Sequence, residues 1–193
     1  MTVAISLLRG VNVGGHNLIR MDALQALCKS LHLRDACTVL QSGNIVFRTE
    51  EHDLALLAKR LEDGIERRFK FRPDVILRTS TELKDAIARN PFAKRSGIDP
   101  SKLLVIFLAR DPGPEARNKL PEPDAVPEEL ALRGRELYIY YPNGMARPKL
   151  PWKALEKALN TPGTGRNWNT VTKLLQIAQK LEYAASTLQK ARG

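Results

Sequence analysis

Apolar positions follow two different periods along the chain, and the order of those periods predicts its architecture. Residues 3–8, VAISLL, form a compact apolar run closed by Arg9-Gly10, the pattern of a buried strand. Met21, Leu24, Leu27, Cys28 and Leu31 then recur at the three- and four-residue spacing that lines one side of a helix. Two short strands, 37–40 and 44–48, flank Gln41-Ser42-Gly43, where the glycine permits a tight turn. A long helix is predicted over 53–69, with Leu54, Leu57, Ala58, Leu61, Ile65 and Phe69 on its apolar side. Arg72-Pro73 ends it, and Asp74-Val75-Ile76-Leu77 reads as a fourth strand.

Strand, helix, strand, strand, helix, strand is the order of the split βαβ, or ferredoxin-like, unit. The expected fold class is therefore α/β (α+β), with two helices over one face of an antiparallel sheet. Ser80–Arg89 is a connecting helix with Leu83, Ala86 and Ile87 inward, capped by Ser80 or Thr81 and stopped by Asn90-Pro91.

A second strand-rich portion starts at Lys102–Leu108. Five prolines (112, 114, 121, 123 and 127) leave room only for a short helix near Glu115–Leu120. Leu130–Leu132 and Leu137–Tyr141 flank Arg133-Gly134 as a hairpin, and Trp152–Leu159 is a short helix. Asn169 or Thr170 opens the final helix, which buries Val171, Leu174, Leu175, Ala178 and Leu181. The expected division is a ferredoxin-like domain at 1–79, a connector at 80–101, and a related, smaller α/β portion at 102–193. A crevice between the two halves is one expected place for a ligand.

Composition adds one unusual quantity. The 193 residues hold 31 Lys and Arg against 21 Asp and Glu, a net charge of +10. Each half carries +5, so no tail or single domain holds the excess. A narrower window does: 133–180 contains Arg133, Arg135, Arg147, Lys149, Lys153, Lys157, Arg166, Lys173 and Lys180 against Glu136 and Glu156 only. Tyr138, Tyr140, Tyr141, Trp152 and Trp168 are interleaved with these cations, the mixture that phosphate contact and base stacking use. Alternation along the strand puts Leu137, Ile139 and Tyr141 on the core side and predicts Tyr138 and Tyr140 on the wetter one.

No apolar run approaches the roughly 20 residues that cross a bilayer. The start of the chain lacks the basic and apolar regions of a signal peptide. Cys28 and Cys37 lack C-x-x-C spacing and are expected as two buried thiols, consistent with a cytoplasmic protein. His16, His32 and His52 share no ligand spacing, and no metal or cofactor motif is legible.

Three segments carry candidate binding chemistry. Arg9-Gly10-Val11-Asn12-Val13-Gly14-Gly15 follows a strand and precedes a helix. There backbone N–H groups at Gly14 and Gly15, with Arg9 and Asn12, can face an anion. It lacks the spacing of a P-loop or of G-x-G-x-x-G, and tight turning explains the glycines equally well. Ser42-Gly43-Asn44 is a turn whose Asn44 is a second candidate. It is expected at the opposite end of the sheet from the glycine loop. Thr161–Thr170 sets Arg166, Asn167, Trp168 and Asn169 before a strong helix, with Asn169 as the N-cap and Arg166 as an anion clamp. Lys149 completes the set. No catalytic combination is distinctive.

Taken together, Leu8–Gly15 with Met21 and Leu24, Gln41–Phe47, and Thr164–Leu174 resemble the bacterial DUF1697 proteins, whose function is not established. The resemblance implies a ferredoxin-like α/β unit with a related second portion. It implies no activity, cofactor or catalytic residue. Where that family shows Thr-Thr-Arg-Asn-Trp-Asn-Thr, this chain has Gly165 in place of the second threonine. The expected function is a non-enzymatic module that binds a phosphate-bearing ligand or nucleic acid. A small-molecule enzyme and a purely structural or interaction protein are the alternatives.

Overall fold

The computed structural model describes residues 1–121 and 125–190. Pro123 of the proline-rich stretch and residues 191–193 lie outside the described residues. The chain divides into two compact units: Met1–Lys84 together with the chain from Lys173 onward, and Asp85–Thr172.

In the first unit the elements are β1 (Thr2–Leu8), α1 (Met21–Ser30), β2 (Arg34–Val39), β3 (Asn44–Thr49), α2 (Leu54–Phe69) and β4 (Val75–Thr79). The sheet runs β2-β3-β1-β4, antiparallel throughout. Ala4, Leu8, Ile45, Phe47, Val75 and Leu77 form one face of this sheet. Leu24, Leu27 and Cys28 of α1 and Leu57, Leu61 and Ile65 of α2 pack on it. Ile5, Leu7, Val46 and Ile76, on the opposite face, are buried as well. That double burial is why the strands read as unbroken apolar runs.

Helix ends are fixed locally. Asp53 caps α2, its carboxylate accepting the N–H groups of Ala55 and Leu56. The connecting helix α3 (Ser80–Ala88) is held by a reciprocal pair instead of the expected Ser80 or Thr81. Thr79 Oγ1 accepts the Glu82 N–H at 3.1 Å, and the Glu82 carboxylate accepts the Thr79 N–H at 2.8 Å. This is a capping box, which the T-x-x-E spacing encodes.

The second unit repeats the pattern. It has β5 (Leu103–Leu108), α4 (Pro114–Asn118), β6 (Glu129–Arg133), β7 (Glu136–Tyr140), α5 (Trp152–Leu159) and β8 (Gly163–Asn167). Their order, β6-β7-β5-β8, places each strand where its counterpart stands in the first sheet. The chain is thus two similar α/β units, each with a four-stranded antiparallel sheet and flanking helices, a duplicated ferredoxin-like fold. Ile106, Leu108, Leu132, Leu137, Ile139 and Tyr141 meet Leu150, Leu155 and Leu159 in the second core. The last helix, α6 (Trp168–Lys190), begins directly after β8.

Two expectations about exposure are corrected. Tyr138 and Tyr140 lie opposite the core side, as alternation predicts, but both are buried rather than wet. The end of α3 and the stretch that follows it cover them: Tyr138 Oη donates to the Ala86 carbonyl, and the Phe92 ring lies 6.3 Å from that of Tyr140. Cys28 is buried as expected, whereas Cys37 is exposed because β2 is an edge strand.

Candidate functional site

At the carboxyl end of β1 the chain enters a miniature hairpin. Val13 and His16 form an antiparallel bridge, with Asn12 N–H donating to the Asn17 carbonyl and His16 N–H to that of Val13. Its two central residues, Gly14 and Gly15, both have positive φ (+59° and +78°), as a type I′ turn requires. Turn geometry therefore explains the glycines that sequence set against an anion cradle.

Asn12 ties this hairpin down. Its side-chain amide donates to the carbonyls of Ile19 (3.0 Å) and Gln41 (2.7 Å), and its oxygen accepts the Ile19 N–H (2.8 Å). The glycine loop and the 41–44 turn consequently sit at the same end of the sheet, not at opposite ends. The antiparallel register that pairs Leu7 with Asn44 makes this unavoidable. Asn44 is buried and donates to the Val39 carbonyl and Ser42 Oγ, which closes the turn. Arg9 completes this end of the sheet by pairing with Asp74 at 3.1 Å. Val13, Leu18 and Leu40 stand exposed around these ties.

The second group of candidates belongs to the other unit. Residues read from sequence only as the lead-in to the last helix form β8, an edge strand paired with β5. Alternation along it buries Thr164 and Arg166 on the sheet face of Val105 and Tyr138 and leaves Gly165 exposed on the face of Ile106. The Arg166 guanidinium donates to Thr164 Oγ1 and to the Gly165 carbonyl, both at 2.8 Å. Burial pushes its pKa down to about 10, so it stays charged at neutral pH. Asn167, not Asn169, caps α6: its Oδ1 accepts the Asn169 N–H at 3.0 Å, while its Nδ2 donates to the Ser101 carbonyl. Asn169 itself is exposed, and Trp168 is buried.

Lys149 is exposed, with its backbone N–H donating to a carboxylate oxygen of the buried Glu128. Around it lies the feature that sequence located only as part of a wider window. Arg147, Lys149, Lys153 and Lys157 lie on α5 and the segment leading into it. All four are exposed, and among the described residues none pairs with a carboxylate. Several cations elsewhere are engaged. Arg9 meets Asp74, Arg34 meets Glu50, Arg48 meets Asp35, and Arg72 meets Glu62, Asp63 and Glu66. Arg95 pairs with Glu129 and Arg89 with Glu136. The Lys153–Lys157 spacing of four, which puts both ammonium groups on one side of the helix, was the legible signal.

Two comparisons place the molecule among known proteins. The family model described as "Protein of unknown function (DUF1697)" matches residues 1–138. The solved structure of conserved bacterial protein SP0830 from Streptococcus pneumoniae is similar over 92% of this chain and 98% of its own. The TM-score is 0.67 at 19% identity, a likeness of fold. No curated protein matches the chain.

Proposed function

The chain belongs to DUF1697, a family of unknown function, and we propose that it is a non-enzymatic module that binds nucleic acid through the phosphate backbone. The observation that carries the reading is the unpaired group Arg147, Lys149, Lys153 and Lys157. Exposed cations without carboxylate partners gain most from a polyanion, because binding releases the counterions condensed on it. Tyr138, Tyr140 and Trp168 are buried and unavailable for stacking on bases. The contact is therefore electrostatic and indifferent to sequence, as backbone contacts carry no base information.

Fluorescence anisotropy with labelled single- and double-stranded oligonucleotides at two salt concentrations tests this. Binding at low salt should weaken as salt rises, with a log–log slope of about −3 to −4 if all four cations contact phosphates. Lys153→Glu with Lys157→Glu should abolish most of it. Absence of binding at low salt, or an affinity unmoved by salt, would overturn the reading.

A further inference from the structure

A second feature lies in the first unit, at the end of its sheet where β1 begins and β3 ends. A cavity of about 370 Å³ opens there, walled by His32 and Arg34 after α1, by Arg48, Glu50 and Glu51 at the end of β3, and by Arg60 of α2. Its volume falls within the range of small-molecule sites.

The walls are irregular in a way that regular packing does not require. His32 has φ +58° in the position just past α1 that glycine or asparagine usually fills. The Leu33 N–H returns to the Cys28 carbonyl across it. Asp35, at φ +51°, lies in a bulge of β2 between Arg34 and Cys37, and its carboxylate holds Arg48. Bulges and left-handed residues of this kind re-aim side chains beside ligand sites.

The charges are not equally engaged. Arg34 pairs with Glu50 at 3.5 Å, and Arg48 pairs with Asp35. Arg60 has one long contact, from Nη2 to the Leu31 carbonyl at 3.4 Å, so most of its guanidinium N–H groups have no partner among the described residues. Glu51 accepts the Asp53 N–H through Oε1 and leaves Oε2 without a donor among the described residues. A planar donor fork and an open carboxylate oxygen thus line one cavity. The fork suits a carboxylate in bidentate fashion, and the oxygen suits an ammonium or hydroxyl group. Glu50, Glu51 and the Asp35 carboxylate that holds Arg48 offset the three arginines, so the cavity carries little excess positive charge, which disfavours a polyanion.

We infer that this cavity binds a small amino or hydroxy acid, with Arg60 on its carboxylate and Glu51 on its amino or hydroxyl group. The inference concerns the first unit and does not rest on the nucleic-acid reading of α5.

Amide NMR of the full chain, titrated separately with L-serine, lactate and inorganic phosphate, tests it. Serine or lactate should give saturable shifts at His32, Arg34, Thr49 and Arg60. Arg60→Gln should remove them while the remaining spectrum stays dispersed. Glu51→Gln should weaken serine more than lactate, because it exchanges a charge for a neutral acceptor. Shifts that stay linear with concentration, or survive Arg60→Gln, would overturn the assignment. Saturation by phosphate alone would overturn the requirement for a donor group on the ligand.

Discussion

Tyr138 Oη donates to the Ala86 carbonyl at 2.6 Å, fixing the last turn of α3 to a fully buried phenol of β7. Tyr138→Phe keeps the ring and removes the donor, leaving a buried carbonyl without that partner. Urea denaturation should show a loss of about 1–3 kcal/mol. Burial, reinforced by the negative Glu136, also raises the Tyr138 pKa, and burial with Glu128 raises that of Tyr141. Both phenols ionise at about 10 in the unfolded chain and only above that in the folded one. Their contribution to stability is therefore complete below pH 10 and is lost as the pH rises past it. Alkaline unfolding followed by phenolate absorbance should be cooperative in the parent and shifted to higher pH in Tyr141→Phe. In a Tyr183→Phe background, which removes the exposed phenol, gradual phenolate formation in the folded protein would contradict this.

Much of the fold was legible in sequence because its elements keep clean periods. α5 occupies the expected residues, and the 129–140 hairpin turns at Gly134-Arg135, one residue beyond the expected Arg133-Gly134. β8 was not legible. Gly-Thr-Gly-Arg-Asn has no apolar residue and two glycines, so it carries no strand signal. Only pairing with β5 makes it one. The two faces of β7 were separable by alternation, but periodicity does not say what covers the second face. Long-range packing decided the fate of Tyr138 and Tyr140. The same limit applies to the candidate binding residues. Residue type makes Asn12 and Arg166 look available, yet one has its amide bonded to Ile19 and Gln41 and the other is buried along β8. The cavity walls were invisible because the left-handed His32 and Asp35 carry none of the usual glycine signal.

The two cysteines should differ sharply in reactivity. Burial pushes the Cys28 thiol up to about 12, so almost no thiolate exists near neutral pH. Cys37 is exposed on the edge strand. A thiol-specific chromogenic reagent should modify one cysteine quickly in the native protein and both after denaturation. Cys37→Ser should abolish the fast phase. Two fast thiols in the native state would disprove the packing around Cys28.

Gly43 ties the 41–44 turn to β1 more tightly than its position in a loop suggests. Its φ is +68°, and an added Cβ would lie 2.9 Å from Leu8 Cβ. The Leu8 N–H donates to the Gly43 carbonyl at 3.0 Å, so the two backbones have little freedom to separate. Gly43→Ala should destabilise by about 2–3 kcal/mol, combining left-handed strain with overpacking. Thermal unfolding measures this, and an unchanged midpoint would show that the turn can shift.

Gly165 makes the opposite case. It is exposed on an edge strand, its φ is not left-handed, and an added Cβ would meet Leu104 Cδ1 at 3.4 Å, an ordinary contact. Threonine, the residue that the resembling family places here, should fit. Its β-branched side chain suits a strand, and its methyl can cover part of Leu104, which is only partly buried. Glycine also loses more conformational freedom on folding than any other residue. Gly165→Thr should therefore stabilise the protein by about 0.5–1 kcal/mol. Oligonucleotide binding should not change, because the buried Arg166 and the exposed lysines of α5 keep their places. Urea denaturation and anisotropy on the same variant separate the two effects. A drop in stability would mean that β8 requires glycine for its approach to β5, and a change in binding would place Gly165 within the contact surface.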